Sequence, residues 1–151
     1  MKKIYYAAHI YMILGLVGGL YYRELTKLND FTGDSQLGVV HTHLLALGML
    51  FFLIVLVLEK VFTLTAGKLF SWFFWVYNAG LALTVVMMTL RGSLTVVGTK
   101  LSSGADSALS GISGLGHIAL TLGLIFFFIN LGKVLPASRR AGETAAAKTT
   151  E

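Results

Sequence analysis

The chain has 151 residues, 56% of them hydrophobic and only 13% charged, with a mean hydropathy of +0.77. That balance excludes an ordinary soluble domain, in which about 25% of residues are charged, and points to a polytopic membrane protein. The absence of cysteine excludes disulfides, thiolate metal sites and covalently attached haem, and the net charge of +5 sits at segment ends rather than in a nucleic-acid-binding patch.

Four apolar segments are long enough to cross a hydrocarbon layer about 30 Å thick. They cover about residues 4–22, 37–58, 69–90 and 113–135 and predict an all-α, four-helix transmembrane bundle formed by residues 1–136. The opening MKKIYYAAHIYMILGLVGGLYY has a signal peptide's lysines and apolar core. Its apolar run is too long for an h-region and no A-x-A site follows, so it reads as a retained first helix. Between the first two segments, YYRELTKLNDFTGDSQ is polar enough to be a solvated loop. Between the last two, RGSLTVVGTKLSSGADSALSGISG is Gly/Ser-rich, with Asp106 a candidate N-cap for an early start of the fourth helix. Pro136 is the expected terminator of that helix, and ASRRAGETAAAKTTE, residues 137–151, reads as a disordered cytoplasmic tail. Eight Lys and Arg residues fall on the side of the termini (Lys2, Lys3, Lys60, Lys68, Lys133, Arg139, Arg140, Lys148), against Arg23, Lys27, Arg91 and Lys100 on the other. Both termini are therefore expected in the cytoplasm.

Three of the four histidines fall in the outer halves of apolar runs, His41 and His43 in VVHTHLLALGM and His117 in GISGLGHIAL. An ionisable group within a membrane span is a functional-site hypothesis by default. Counted from the expected helix starts, His41 and His43 lie roughly 6 and 9 Å in and His117 roughly 6 Å in, so all three share one depth in the outer half. Residues i and i+2 of an α-helix point about 200° apart, so His41 and His43 cannot chelate one small ion and must serve two partners. Gly38 and Gly48 flank the pair, and Gly114 lies one turn before His117 with Gly116 beside it. Such residues leave room for a flat macrocycle, although membrane helices also pack through small residues. A haem iron, held by one imidazole from each of two helices, fits these features. The preferred pairing is His43 or His41 with His117.

Other residues carry plainer readings. His9 lies at the depth expected for Asn130 and is a candidate hydrogen-bond partner for it, with Met12 one turn on keeping a second metal site open. Asn78 needs a buried partner, while Thr42, Thr84 and Thr121 can bond to their own helices. Arg23 and Arg91 end helices on the outer side, where they can meet haem propionates or mark topology.

The order YMILGL, YYRELTKLNDFTG, HTHLLALGM and GISGLGH resembles a family of small bacterial four-helix membrane proteins catalogued only as a domain of unknown function. The likeness covers about residues 4–133 and implies four spans without an activity. More distantly, the His-x-His helix with a further histidine elsewhere is similar to the core of heme–copper oxidases. There one histidine of the pair serves a high-spin haem and the other a low-spin haem. That similarity implies that His41 and His43 each hold an iron, with His117 opposing one of them. The chain departs from that pattern in having four helices and no separate histidine cluster for copper.

The functional expectation is an integral b-type haem protein of the bacterial cytoplasmic membrane, for electron transfer or for sensing or handling a diatomic gas. A haem-dependent oxidoreductase is within the scope of that reading. One alternative is a transporter or channel-like protein for copper or zinc, with His9, His41, His43 and His117 along its path. Another is a structural membrane subunit. The expected partners are the lipid bilayer, a second copy of the chain in a homodimer or larger homo-oligomer, and a redox partner.

Overall fold

A computed structural model describes the backbone of residues 1–149 and the side chains of residues 1–135. The backbone stays helical through Pro136 to Thr149, so that proline does not end the fourth helix as expected, and of the expected tail only residues 150–151 fall wholly outside the described residues. Four helices run antiparallel in sequence: α1 (Lys2–Leu28), α2 (Gln36–Phe62), α3 (Lys68–Val96) and α4 (Ser103–Thr149). All four are long and apolar enough to cross a membrane, α4 through its portion Ser103–Leu135. We call the end bearing the N-terminus and the α2–α3 turn proximal, and the end bearing the other two connections distal.

Each helix exceeds the apolar window that announces it, because polar residues at the ends find local partners. Asn29 closes α1, donating from its side-chain amide to the Leu25 carbonyl at 2.9 Å, and Asp30 turns the chain at φ 47°. Ser35 opens α2: its hydroxyl accepts from Leu37 N at 3.2 Å and donates to the Gly92 carbonyl of α3 at 2.9 Å. At the other end of α2, Thr63 adopts φ 52°. The turn that follows is held by the buried Glu59 carboxylate, which accepts from Thr65 N at 2.8 Å and Thr65 Oγ1 at 2.5 Å. The fourth helix begins at Ser103 rather than near Ser113. Its Gly/Ser-rich first turns are fixed by Arg91, which donates to Asp106 at 2.7 Å and to Ser110 at 2.9 Å.

The two halves of the bundle are packed by different means. Proximally, Phe51, Phe52, Phe70, Phe73, Phe74, Tyr77 and Phe127 form one aromatic cluster, with Phe51–Tyr77 centroids at 4.8 Å and Phe73–Phe127 at 5.0 Å. Such offset and edge-to-face pairs supply the dispersion contacts that bilayer helices depend on, since lipid is as apolar as the core. From the bundle's middle to its distal end, close backbone approach takes over. A methyl on Gly80 would lie 2.6 Å from Leu120 N of α4, and one on Gly92 would run into Leu37 N of α2. Helix α3 is thus the post against which α2 and α4 both lean.

Candidate functional site

Helix α2 changes its winding next to the histidines. It enters as a tight turn over Gln36–Val39, makes one α-turn over Val40–His43, and continues as a π-helical stretch over Leu44–Leu50. Wide π-turns misalign backbone carbonyls and occur often beside functional sites. Here Tyr77 of α3 donates its hydroxyl to the Leu47 carbonyl at 2.9 Å, so a carbonyl within the widened stretch has a partner. The same stretch settles onto α1 through Gly48, where a methyl would run into the Tyr11 ring.

That contact corrects one expectation. The space at Gly48 is filled by Tyr11, and a methyl on Gly38 would lie 3.3 Å from the Tyr22 ring, so both serve the α1–α2 interface rather than an opening for a macrocycle. Gly116 packs against Thr84 of α3. Around Gly114 there is open space, with nothing within 4 Å of an added methyl.

His43 and His117 share one local arrangement. His43 Nδ1 is 2.9 Å from the Val39 carbonyl, and His117 Nδ1 is 3.0 Å from the Ser113 carbonyl, each four residues back on its own helix. A carbonyl oxygen only accepts, so Nδ1 is the donor in both contacts, and in the neutral ring the lone pair is then on Nε2. This is the tautomer a metal-ligating imidazole uses, with the other ring nitrogen anchored by a backbone acceptor. His43 is half-buried and His117 exposed at the surface of the chain.

The two helices carrying these rings meet proximally, where Phe51 and Phe127 pack at 5.5 Å. Distal to that pair, among the described residues, Gln36–Leu50 of α2 makes no close approach to α4. Both helices still lean on α3, α2 through Gly92 and α4 through Gly80 and Thr84. The helices therefore part above an aromatic floor. Thr84, Met88 and Gly92 form an i, i+4 stripe of α3 running from the α4 contact to the α2 contact. Met88 is buried on that stripe, and Thr84 Oγ1 is buried without a hydrogen-bond partner. Neither was singled out for the site by sequence, since Thr84 was expected to bond to its own helix.

The depths of the histidines also need correction. Because α4 starts at Ser103, His117 sits far inside its helix rather than near its entry. Leu37 lies opposite Gly92 of α3, and Gly116 opposite Gly80 and Thr84. Counting along the antiparallel helices puts His43 about one turn, roughly 5 Å, nearer the distal end than His117.

His41 takes a different side of α2. It stands against Gly19 of α1, where an added methyl would lie 3.7 Å from its Cβ. Its Nδ1 is buried without a partner, and its Nε2 is 3.5 Å from Thr42 Oγ1, the limit of a weak contact. His9 is exposed and stacks on Tyr5 at 5.8 Å. It does not meet Asn130, which donates instead to the Leu64 carbonyl at 3.0 Å, because the α2–α3 turn folds over that amide. Asn78 has its partner in Tyr11, whose hydroxyl donates to Asn78 Oδ1 at 2.7 Å, and Thr121 bonds to the His117 carbonyl at 2.9 Å. Arg23 lies 3.7 Å from its neighbour Glu24 at the surface, and the Arg91 guanidinium is engaged by Asp106 and Ser110.

Taken together, the four spans and their sparse polar groups define an all-α bundle with the features of a multi-pass membrane protein. The chain belongs to the family described as "Protein of unknown function (DUF2871)", whose model matches residues 1–134. No curated protein and no solved structure matches it.

Proposed function

We propose that this protein binds a b-type haem through His43 and His117 and serves electron transfer or the handling of a diatomic gas. The observation that carries the reading is the shared state of those two rings. Each donates Nδ1–H to its own helix and leaves Nε2 bare, on the two helices that part above the Phe51–Phe127 contact. A bound haem would supply reversible one-electron chemistry at iron. The chain's own part would be to fix both imidazoles in the ligating tautomer, while the surrounding apolar side chains limit access of water. Arg91, being engaged by Asp106 and Ser110, would reach a propionate only by exchanging those partners.

The transporter alternative for copper or zinc has less support. Among the described residues, no three His, Cys, Asp or Glu side chains converge as a metal-binding group. A structural zinc site takes four protein ligands and a catalytic one three, whereas a bis-histidine haem needs only two from the protein. Insertion in a bacterial cytoplasmic membrane with both termini inside, and a homodimer that covers the ring edge, complete the proposal.

The test is an absorption spectrum of the purified protein, made with haem supplied during expression. The expected result is a low-spin Soret band that moves on reduction, lost or converted to high spin in both His43→Ala and His117→Ala and kept in His9→Ala. Spectra unchanged in both of the first two variants remove the pairing, and a colourless preparation retaining stoichiometric copper or zinc favours transport.

A further inference from the structure

A second feature lies on the opposite flank of α3, between α1 and α3 in the proximal half. There the two helices enclose a groove of about 570 Å³, lined by Lys3, Tyr6, Ile10, Tyr11, Phe74 and Asn78 among others. Its walls are almost wholly apolar, and Ile10, Leu14 and Trp75 at its edges are exposed to the surrounding medium, so it opens sideways towards lipid. Two polar groups break the apolar lining. Towards the bundle's middle, Asn78 accepts from Tyr11 through Oδ1 and donates one amide hydrogen to the Phe74 carbonyl at 2.6 Å, leaving its second N–H uncommitted among the described residues. Towards the proximal end, the Lys3 ammonium stands 5.2 Å from the centroid of Phe74 and 5.1 Å from that of Phe70. Phe74 lies one helical turn from Asn78 and supplies an aromatic surface between the two donors.

We propose that this groove binds the ring of a lipid-soluble para-quinone. A flat ring with an acceptor at each end matches a slot with a donor at each end and an aromatic wall between. An isoprenoid tail would leave through the lateral opening past Ile10 and Leu14. A phospholipid chain is the poorer match. Lys3 would suit its phosphate, but an acyl chain running inward would bury the free Asn78 N–H without an acceptor. The proposal stands on the groove's chemistry alone and does not depend on the haem reading.

The test uses the full chain with Trp72→Phe, which leaves Trp75 at the groove's edge as the only tryptophan. In quinone-free phosphatidylcholine nanodiscs, decylubiquinone should quench Trp75 fluorescence saturably. Exchanging the polar pair for an apolar one, Tyr11→Phe with Asn78→Leu, should raise the half-saturation concentration about tenfold, equivalent to about 1.4 kcal/mol. Should that variant fail to fold, Ala82→Phe fills the groove from its exposed wall without touching the pair and should abolish saturation. The proposal is overturned by quenching that rises linearly and equally in all proteins, or by saturable quenching that ignores both the Tyr11→Phe/Asn78→Leu pair and Ala82→Phe. A site that loses ligand only on Lys3→Ala and yields to phosphatidylglycerol is a headgroup site and also overturns it. Haem-loaded and haem-free preparations should give the same half-saturation, so a failed haem reading leaves this result intact.

Discussion

In the proximal half, aromatic rings fill the space where α2, α3 and α4 meet, and Glu59 and Asn130 tie down the α2–α3 turn through buried hydrogen bonds. In the distal half, α2 and α4 each approach α3 closely through glycine but stand apart from one another, and the two histidines with bare Nε2 atoms sit on the parted helices. The contrast is one of division of labour. A bundle in lipid gains no water-driven burial, so its stability must come from contact area and satisfied polar groups. One half can supply that contact while the other gives some of it up and carries its two imidazoles on separate helices.

The largest expected effect tests the closed half. Replacing Phe73, fully buried among Phe51, Phe70, Tyr77 and Phe127, by Ala should destabilise the fold by about 3 kcal/mol, the low end for phenylalanine truncation because lipid rather than water is the alternative solvent. Denaturation in mixed micelles measures the loss. If the division is real and haem binds as proposed, whatever protein remains folded should keep the wild-type haem-to-protein ratio, whereas His117→Ala should lose it with little change in denaturation. A Phe73→Ala protein as stable as wild type breaks the comparison.

Next comes the tie at the proximal turn. Glu59→Ala leaves Thr65 N–H and its hydroxyl without their acceptor, which should cost about 1–3 kcal/mol and speed hydrogen exchange at Thr65 and its neighbours. Exchange at His43 and His117 should stay as it was. Spreading of the effect to the distal half would mean that the two halves unfold as one unit.

Much of this architecture is legible in the chain, and what is not legible has identifiable causes. Four apolar runs suffice for four spans, and the i, i+2 spacing of His41 and His43 suffices to send them to different sides of α2. Helix ends are misplaced where long-range partners decide them: Asp106 reads locally as an N-cap, but the helix already runs from Ser103, and Asp106 lies in its first turn, paired with Arg91. The widened turn over Leu44–Leu50 has no periodic signature, because its apolar residues suit an α-turn equally well. Gly38 and Gly48 read as space, and only the fold reveals that Tyr22 and Tyr11 fill it. The histidine tautomers, which carry the functional proposal, depend on rotamers that no spacing encodes.

A smaller effect is expected where the halves join. Tyr77 belongs to the aromatic cluster by its ring and to the histidine helix by its hydroxyl, through the Leu47 carbonyl. Tyr77→Phe keeps the ring and removes the donor, so it should cost about 1 kcal/mol. If the widened turn positions His43, the same change should also alter the anisotropy of the low-spin electron paramagnetic resonance signal, which reports ring orientation. A stability loss with an unchanged signal would make the π-stretch a packing device only.

The smallest effect belongs to the distal surface. Arg91 and Asp106 are partly exposed, and an ion pair of that kind contributes about 0.2–1 kcal/mol. Asp106→Asn keeps the shape and one hydrogen-bond acceptor while removing the charge, so global denaturation should hardly move. Hydrogen exchange should nevertheless quicken in the first turns of α4, from Ser103 to about Gly111, because propensity alone does not sustain a Gly/Ser-rich helix there. The variant also removes the carboxylate that balances the Arg91 charge. If haem sits between the parted helices with a propionate within reach of that guanidinium, the unbalanced positive charge should raise the haem's reduction potential slightly. An unchanged potential together with faster exchange would confine Arg91 to its structural contact with α4.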